Sequence, residues 1–238
     1  MKDVIVITGA SRGLGKALTL HYAKQGYRLG ICARNEEELM KVKEEAIALG
    51  AEVVAVRADV ANAKDVDRFV SVVEATFGTI DILLNNASIF GPGPQLLADY
   101  DEHMFQDVLH TNVLNPFLMT KRTLATMLTN DRGLIVSITS AAGKTGFAEW
   151  GAYGVSKFAV EGLMQTWADE LSETETEVCL VDPGEMNTAM HDIAVPNCDY
   201  SLLEPEELLP LFDYIIQHRG TVNGKRFDID SFLEEAAQ

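Results

Sequence analysis

The chain has 238 residues, 47% hydrophobic and 23% charged, which suits a folded protein with a full core and argues against global disorder. Its 19 Lys and Arg stand against 36 Asp and Glu, a formal charge of −17. Such a surface repels nucleic acid and anionic membranes, so neither is expected as a partner.

The first predicted element is the strand "VIVIT" (4–8), apolar up to its closing threonine. It runs into "TGASRGLG" (8–15) and a predicted helix over 13–25. Gly9 allows the tight turn, Gly13 lets backbone approach a pyrophosphate, and Gly15 lets helix and strand pack closely. The N–H groups at the start of the helix complete an anion site, and the whole reads as a dinucleotide-binding turn. The second strand, "RLGICA" (28–33), ends near the place where an acid would bind the ribose of NAD. Ala33 and then Arg34 stand there instead, and Arg12 lies in the glycine loop. Two arginines without a placed acid suit a 2′-phosphate, so NADP(H) is the expected cofactor.

The alternation continues with a helix at 35–49, a strand at 52–57, a helix at 62–77 and a strand at 81–85. A long helix over 101–129, a strand at 134–139, a helix at 152–173 and a strand at 177–182 come next. A helix at 204–217 and a weaker strand at 225–229 close the pattern. Strands apolar on both faces, alternating with helices, predict an α/β doubly wound parallel sheet of about seven strands, one domain over 1–238. On the helix at 152–173, Leu163, Trp167 and Leu171 form one apolar row and Val160, Met164 and Ala168 the next. One stripe suffices to dock on a sheet, so the surplus predicts a homodimer or homotetramer through the helices at 101–129 and 152–173. Three scattered cysteines (Cys32, Cys179, Cys198) fit a reduced compartment, and the isolated histidines offer no metal cluster. With no signal-like start and no apolar run of about 18 residues, a cytoplasmic protein is expected.

The stretch "GAYGVSKFAV" (151–160) puts Tyr153 and Lys157 four residues apart, on one helix face. That spacing alone is weak evidence. Ser140 lies 13 residues before Tyr153, at the end of the fifth strand, and Asn112 sits mid-helix, where asparagine is a poor choice. Reducing a ketone needs a hydride on carbon and a proton on oxygen, and a tyrosine beside a lysine is a positioned acid whose pKa the cation should lower. Taken singly, Ser140 also reads as a turn cap, Asn112 as the partner of a nearby carbonyl, and Tyr153 as a packing residue.

The segments "TGASRGLG" (8–15), "ADV" (58–60), "NNAS" (85–88), "HTNVLNPF" (110–117), "SITSAAG" (137–143), "YGVSK" (153–157) and "DPGEMNT" (182–188) occur in this order along nearly the whole chain. In this the chain resembles the short-chain dehydrogenase/reductase family and its 3-oxoacyl-carrier-protein-reductase-like subgroup. The resemblance implies a Rossmann fold and a catalytic tetrad of Asn112, Ser140, Tyr153 and Lys157. It gives Asn112 the task of holding a water that links Lys157 to solvent. It implies that Gly9, Ser11, Arg12, Gly13, Leu14, Gly15 and Arg34 hold the phosphates of the cofactor and that Asp59 and Val60 meet its adenine end. Asn86 and Ala87 would then lie along the ribose, with Tyr153 and Lys157 also touching the cofactor, and Pro183, Gly184 and Thr188 bordering the nicotinamide. Two departures stand out: Ser88, where the family usually has glycine, and "DSFLEEAAQ" (230–238) in place of a glycine-rich tail.

The segments 88–100, 144–150 and 186–200 are expected to shape the substrate pocket, and Ile89, Phe90, Phe147, Trp150, Met186 and Met190 give it an apolar character. Glu185 and His191 add polar contacts. The reading is an NADP(H)-dependent reductase of a small, largely apolar carbonyl compound. Two alternatives stand beside it: an alcohol dehydrogenase working in the oxidative direction, and a non-catalytic NADP(H)-binding redox sensor.

Overall fold

A computed structural model describes residues 2–236. Seven parallel strands form one sheet in the order β3-β2-β1-β4-β5-β6-β7. These are β1 (Val4–Thr8), β2 (Arg28–Ala33), β3 (Val53–Arg57), β4 (Ile82–Asn85), β5 (Gly133–Ile138), β6 (Thr176–Asp182) and β7 (Arg226–Asp228). The chain leaves β1 toward β2 and β3 on one side and later returns to pair β4 against β1 on the other. That reversal opens a crevice at the carboxyl ends of β1 and β4, the usual ligand position in such sheets. Predicted and observed strands agree to within two residues at every end.

Period-two alternation decides which side chains meet which helices. From β1, Ile5 and Ile7 join a cluster with Leu14, Leu18 and Tyr22 of α1 (Gly13–Lys24), Leu39 and Val42 of α2 (Glu36–Ala48) and Phe212. Val4 and Val6 point the other way, to Phe69 and Val73 of α3 (Ala63–Phe77) and to Met119, Val160 and Met164. Helix starts follow local chemistry: the Asn35 side chain accepts from the Glu38 N–H, and Glu36, Glu37 and Glu38 sit at the positive end of α2.

The predicted long helix at 101–129 is instead three pieces: α4 (Glu102–Leu109), a π-helical segment (His110–Leu114) and α5 (Asn115–Thr129). Pro116 has no N–H for an i→i−4 bond, so the ladder slips here and the wider turn carries Asn112 inward to 3% exposure. In α6 (Gly151–Glu170), Val160, Met164, Ala168 and the following Leu171 are buried against the sheet, with Leu163 and Trp167 half-buried beside them. Leu171 therefore belongs to the core and not to an outward row. The apolar side chains that α6 does present to solvent are Val155 and Phe158, 45% and 47% exposed.

The segment 186–200 holds a short helix, α7 (Ala189–Ala194), and the predicted helix at 204–217 divides into a 3-10 turn (Pro205–Leu208) and α8 (Leu209–Gln217). The unusual tail forms α9 (Ile229–Ala236), directly after β7, and its last two residues lie outside the described ones. Among the described residues no helix is long and apolar enough to cross a membrane.

Candidate active site

The glycine loop is shaped by what cannot fit. Gly9 has φ +68°, and a Cβ there would come within 2.8 Å of the Ala87 Cα. A Cβ on Gly15 would sit 2.2 Å from the Gly9 carbonyl oxygen and 2.6 Å from Asn86 Nδ2. The Asn86 amide stitches this corner by donating to the Thr8 and Gly9 carbonyls at 2.9 and 3.2 Å. Thr8 Oγ1 in turn accepts from the N–H groups of Asn86 and Ala87, both at 3.0 Å. Among the described residues no side chain caps the start of α1, so its first N–H groups face the crevice available to an anion.

One cavity of about 1130 Å³ runs from this loop to the aromatic end of the site. It is lined by Gly9, Ser11, Arg12, Gly13, Leu14, Arg34, Asp59, Val60, Asn86, Ala87, Ser140, Tyr153, Lys157, Pro183, Gly184 and Thr188. Two expected site residues do not line it. Gly15 acts from behind, as the close-packing residue. Asn112 is turned away: its Oδ1 accepts from the Ile89 N–H at 2.8 Å, and its Nδ2 donates to the Ile89 carbonyl at 2.8 Å and to Ser156 Oγ at 2.9 Å. Both hydrogens of its amide are thus taken, one by a loop and one by a helix, and Oδ1 keeps a second lone pair.

At the far end of the cavity, Ser140 caps the turn Ala141–Gly143 by accepting from the Ala142 N–H at 3.2 Å, and Ser140 and Tyr153 both line the cavity there. The phenol of Tyr153 is pushed up to about 12, first by burial and further by the Asp182 carboxylate, against the opposing pull of the Ser140 side chain. This reverses the expected direction. The Lys157 ammonium donates to the Ile138 carbonyl at 2.9 Å and lies 5.3 Å from the centre of the Tyr153 ring. Burial dominates over that cation. Burial likewise depresses Lys157 to about 8, although Asp182 and Glu161 pull it upward.

The outer part of the cavity is aromatic. Phe90 lies against Tyr153 with ring centres 5.1 Å apart, and Trp150 stands edge-on to both at 5.3 and 5.8 Å. Phe147, Met186 and Met190 also line it, whereas Ile89 does not. His191 Nε2 lies 3.0 Å from a Glu185 carboxylate oxygen that also receives the Tyr200 hydroxyl, tying α7 to the turn after β6. Among the described residues no group of three or more His, Cys, Asp or Glu is placed to hold a metal.

Sequence reasoning missed several residues. Arg57 and Arg68 join Arg34 around a smaller hollow of about 360 Å³ beside Asp59. Arg57 closes β3 next to Arg34 at the end of β2, so parallel pairing of these two strands was the available signal. Glu161, Asp182 and Arg226 meet beneath the catalytic end from three separate elements, with no local spacing to announce them.

Comparison with known proteins agrees with this geometry. The short chain dehydrogenase family model matches residues 3–198. A 3-oxoacyl-[acyl-carrier-protein] reductase from Synechocystis is 33% identical over 239 residues, covering 96% of this chain and 95% of its own length. A short chain dehydrogenase structure from Salmonella enterica serovar Typhi superposes with TM-score 0.90 at 31% identity, over 96% of each chain. A Shigella flexneri short chain dehydrogenase complexed with NADP matches with TM-score 0.88 at 31% identity, over 96% of this chain and 97% of that one. The chain belongs to the short chain dehydrogenase family of oxidoreductases, among its relatives of the 3-oxoacyl-carrier-protein reductase type.

Proposed function

We propose that the protein is an NADP(H)-dependent reductase that converts the carbonyl of a small, largely apolar compound to an alcohol. The observation that carries this reading is that Ser140, Tyr153 and Lys157, the last 5.3 Å from the centre of the tyrosine ring, open into the same cavity as an arginine-flanked glycine loop. The residues fit a nicotinamide dinucleotide: Gly9 and Gly15 let turn and helix pack closely, Gly13 leaves backbone bare in the cavity for a phosphate, and Arg12 and Arg34 line the same cavity, where they would meet a 2′-phosphate. When bound, that cofactor supplies the hydride. The chain's own part is to hold the carbonyl oxygen on the Ser140 hydroxyl and deliver the Tyr153 proton to it as negative charge develops. A phenol near 12 is fully protonated at neutral pH, which favours the reductive direction over oxidation, where a phenolate is needed first. The names of the Synechocystis and Shigella relatives support ketoacyl-type reduction and NADP respectively.

The test is NADPH oxidation against a panel of aliphatic ketones, aryl ketones and 3-oxoacyl thioesters, repeated with NADH. We expect turnover, with kcat/KM for NADPH about 10- to 100-fold above that for NADH, and loss of that preference in Arg34→Ser, the effect of charge-assisted bonds worth about 1.5–3 kcal/mol. Tight NADPH binding with no turnover on any carbonyl would make the protein a sensor instead.

The same domain would carry both cofactor and catalytic residues, and its assembly is proposed as a homodimer or homotetramer through α4, α5 and α6. Met104, Val155 and Phe158, 47%, 45% and 47% exposed, give these helices an apolar outer surface that one subunit leaves uncovered. Light scattering at micromolar concentration should return a multiple of 26.1 kDa, and Phe158→Glu should lower it. A monomeric wild type rules the assembly out.

A further inference from the structure

Beneath the catalytic end lies an ionic cluster that neither the glycine loop nor the catalytic tetrad accounts for. Arg226, on the edge strand β7, donates from Nε to Glu161 Oε1 at 2.9 Å and from Nη2 to Asp182 Oδ2 at 2.8 Å. The same Nη2 donates to the main-chain oxygen of Ser140 at 3.2 Å, and Nη1 lies 3.5 Å from Asp228 Oδ2. The side chains of Arg226, Glu161 and Asp182 are 14%, 8% and 5% exposed, so water does little to screen them. The cluster has further fastenings. Thr139 Oγ1 donates to Glu161 Oε1 at 2.8 Å, and the Gly184 N–H donates to Asp182 Oδ1 at 3.1 Å. One guanidinium therefore touches α6 four residues beyond Lys157, the end of β6 where the nicotinamide-side turn begins, and the backbone of Ser140.

We propose that Arg226 is a positioning residue of the catalytic end, holding Ser140 through its main-chain oxygen and setting the charge balance around Lys157.

The balance can be counted. Glu161 and Asp182 are two carboxylates, and Arg226 and Lys157 are the two cations among them; Lys157 makes its hydrogen bond to a neutral carbonyl and not to either acid. Other charges facing this end are more peripheral: Asp228 on β7, Asp230 on α9, Glu185 after β6 and His191 on α7, all lining the cavity. Removing Arg226 leaves two buried carboxylates to one ammonium, which favours the charged form of Lys157 and raises its pKa. Removing one carboxylate does the reverse. Lysine in place of Arg226 keeps the charge but lacks the planar fork needed to reach both acids and the Ser140 oxygen together.

The inference rests on the reading of Ser140, Tyr153 and Lys157 as catalytic, yet its first readout needs no turnover. Protein carrying [13Cε]-lysine is titrated by NMR, with the Lys157 signal assigned by its absence in Lys157→Arg. From the wild-type midpoint, Arg226→Met should shift Lys157 upward and Glu161→Gln downward, each by about one pH unit. Arg226→Lys should leave the midpoint near wild type while kcat for ethyl acetoacetate reduction falls about 10-fold with little change in KM, the loss of orientation alone. If Arg226→Met fails to fold by circular dichroism, Glu161→Gln, nearly isosteric, and Arg226→Lys decide. Identical midpoints in all folded variants, a Glu161→Gln midpoint that does not fall, or an Arg226→Met midpoint that falls with it, overturn the proposal. The stated shifts in the variants, with a wild type that reduces no carbonyl, would instead sink the catalytic reading and leave the charge network standing.

Discussion

Tyr153→Phe should reduce carbonyl reduction by about 10²- to 10⁴-fold, the usual worth of a positioned general acid, with NADPH affinity changed less than about threefold. The reasoning is geometric. The ring is buried between Phe90, Trp150 and Lys157, so phenylalanine keeps the packing and the cavity shape. Only the hydroxyl is removed. The loss should appear in kcat, because the group acts on charge that develops as the hydride arrives. Single-turnover measurement with NADPH, beside a fluorescence titration of the same variant, separates the two quantities. A variant keeping more than a tenth of wild-type turnover would place the proton donor elsewhere.

Gly15→Ala is the second large effect, and it acts through the backbone. The added carbon would lie 2.2 Å from the Gly9 carbonyl oxygen, a main-chain atom that cannot swing aside. Relief requires the start of α1 to move away from β1, opening the turn that presents the first N–H groups of the helix. Overpacking of this kind costs about 3 kcal/mol, at the upper end of the ordinary range. For a chain of this size that is a Tm drop of about 6–12 °C. NADPH affinity should fall at least about tenfold as the turn opens. Gly146→Ala, where a new carbon meets nothing within 4 Å, serves as the control and should melt like the wild type. Normal melting and normal NADPH binding in Gly15→Ala would mean that the loop tolerates a side chain and that its glycines are incidental.

What could be read from the sequence was whatever the chain writes locally. Mostly apolar five- and six-residue runs marked six strands because a parallel sheet covered on both faces leaves no polar side to encode. The glycine loop was legible because turn, anion site and packing contact fall within eight consecutive residues. Ser140, Tyr153 and Lys157 were legible because one strand end and the next helix hold them together. Other features depend on distant partners. Glu161 and Arg226 are 65 residues apart, and nothing near either one announces the other. The direction of the Tyr153 shift was misread for the same reason: Lys157 is a sequence neighbour, whereas the burial that outweighs it comes from the assembled fold. The slip into a π-helical turn at 110–114 was half legible in Asn115–Pro116, but its effect on Asn112 required the loop at Ile89 to be in place.

That small clamp has a bearing on how the enzyme's scope can be altered. By gripping both main-chain groups of Ile89 and the hydroxyl of Ser156, Asn112 makes the wall after β4 and the helix carrying Tyr153 a single mechanical piece. Remodelling residues around 88–90 to admit a different substrate would drag Tyr153 with them. The turn and short helix from Glu185 to Ala194 are free of that linkage, held by the Glu185–His191 contact and the Thr188 cap. Redesign for new carbonyl compounds therefore starts from the stretch after β6, which the Asn112 clamp does not tie to the helix of Tyr153.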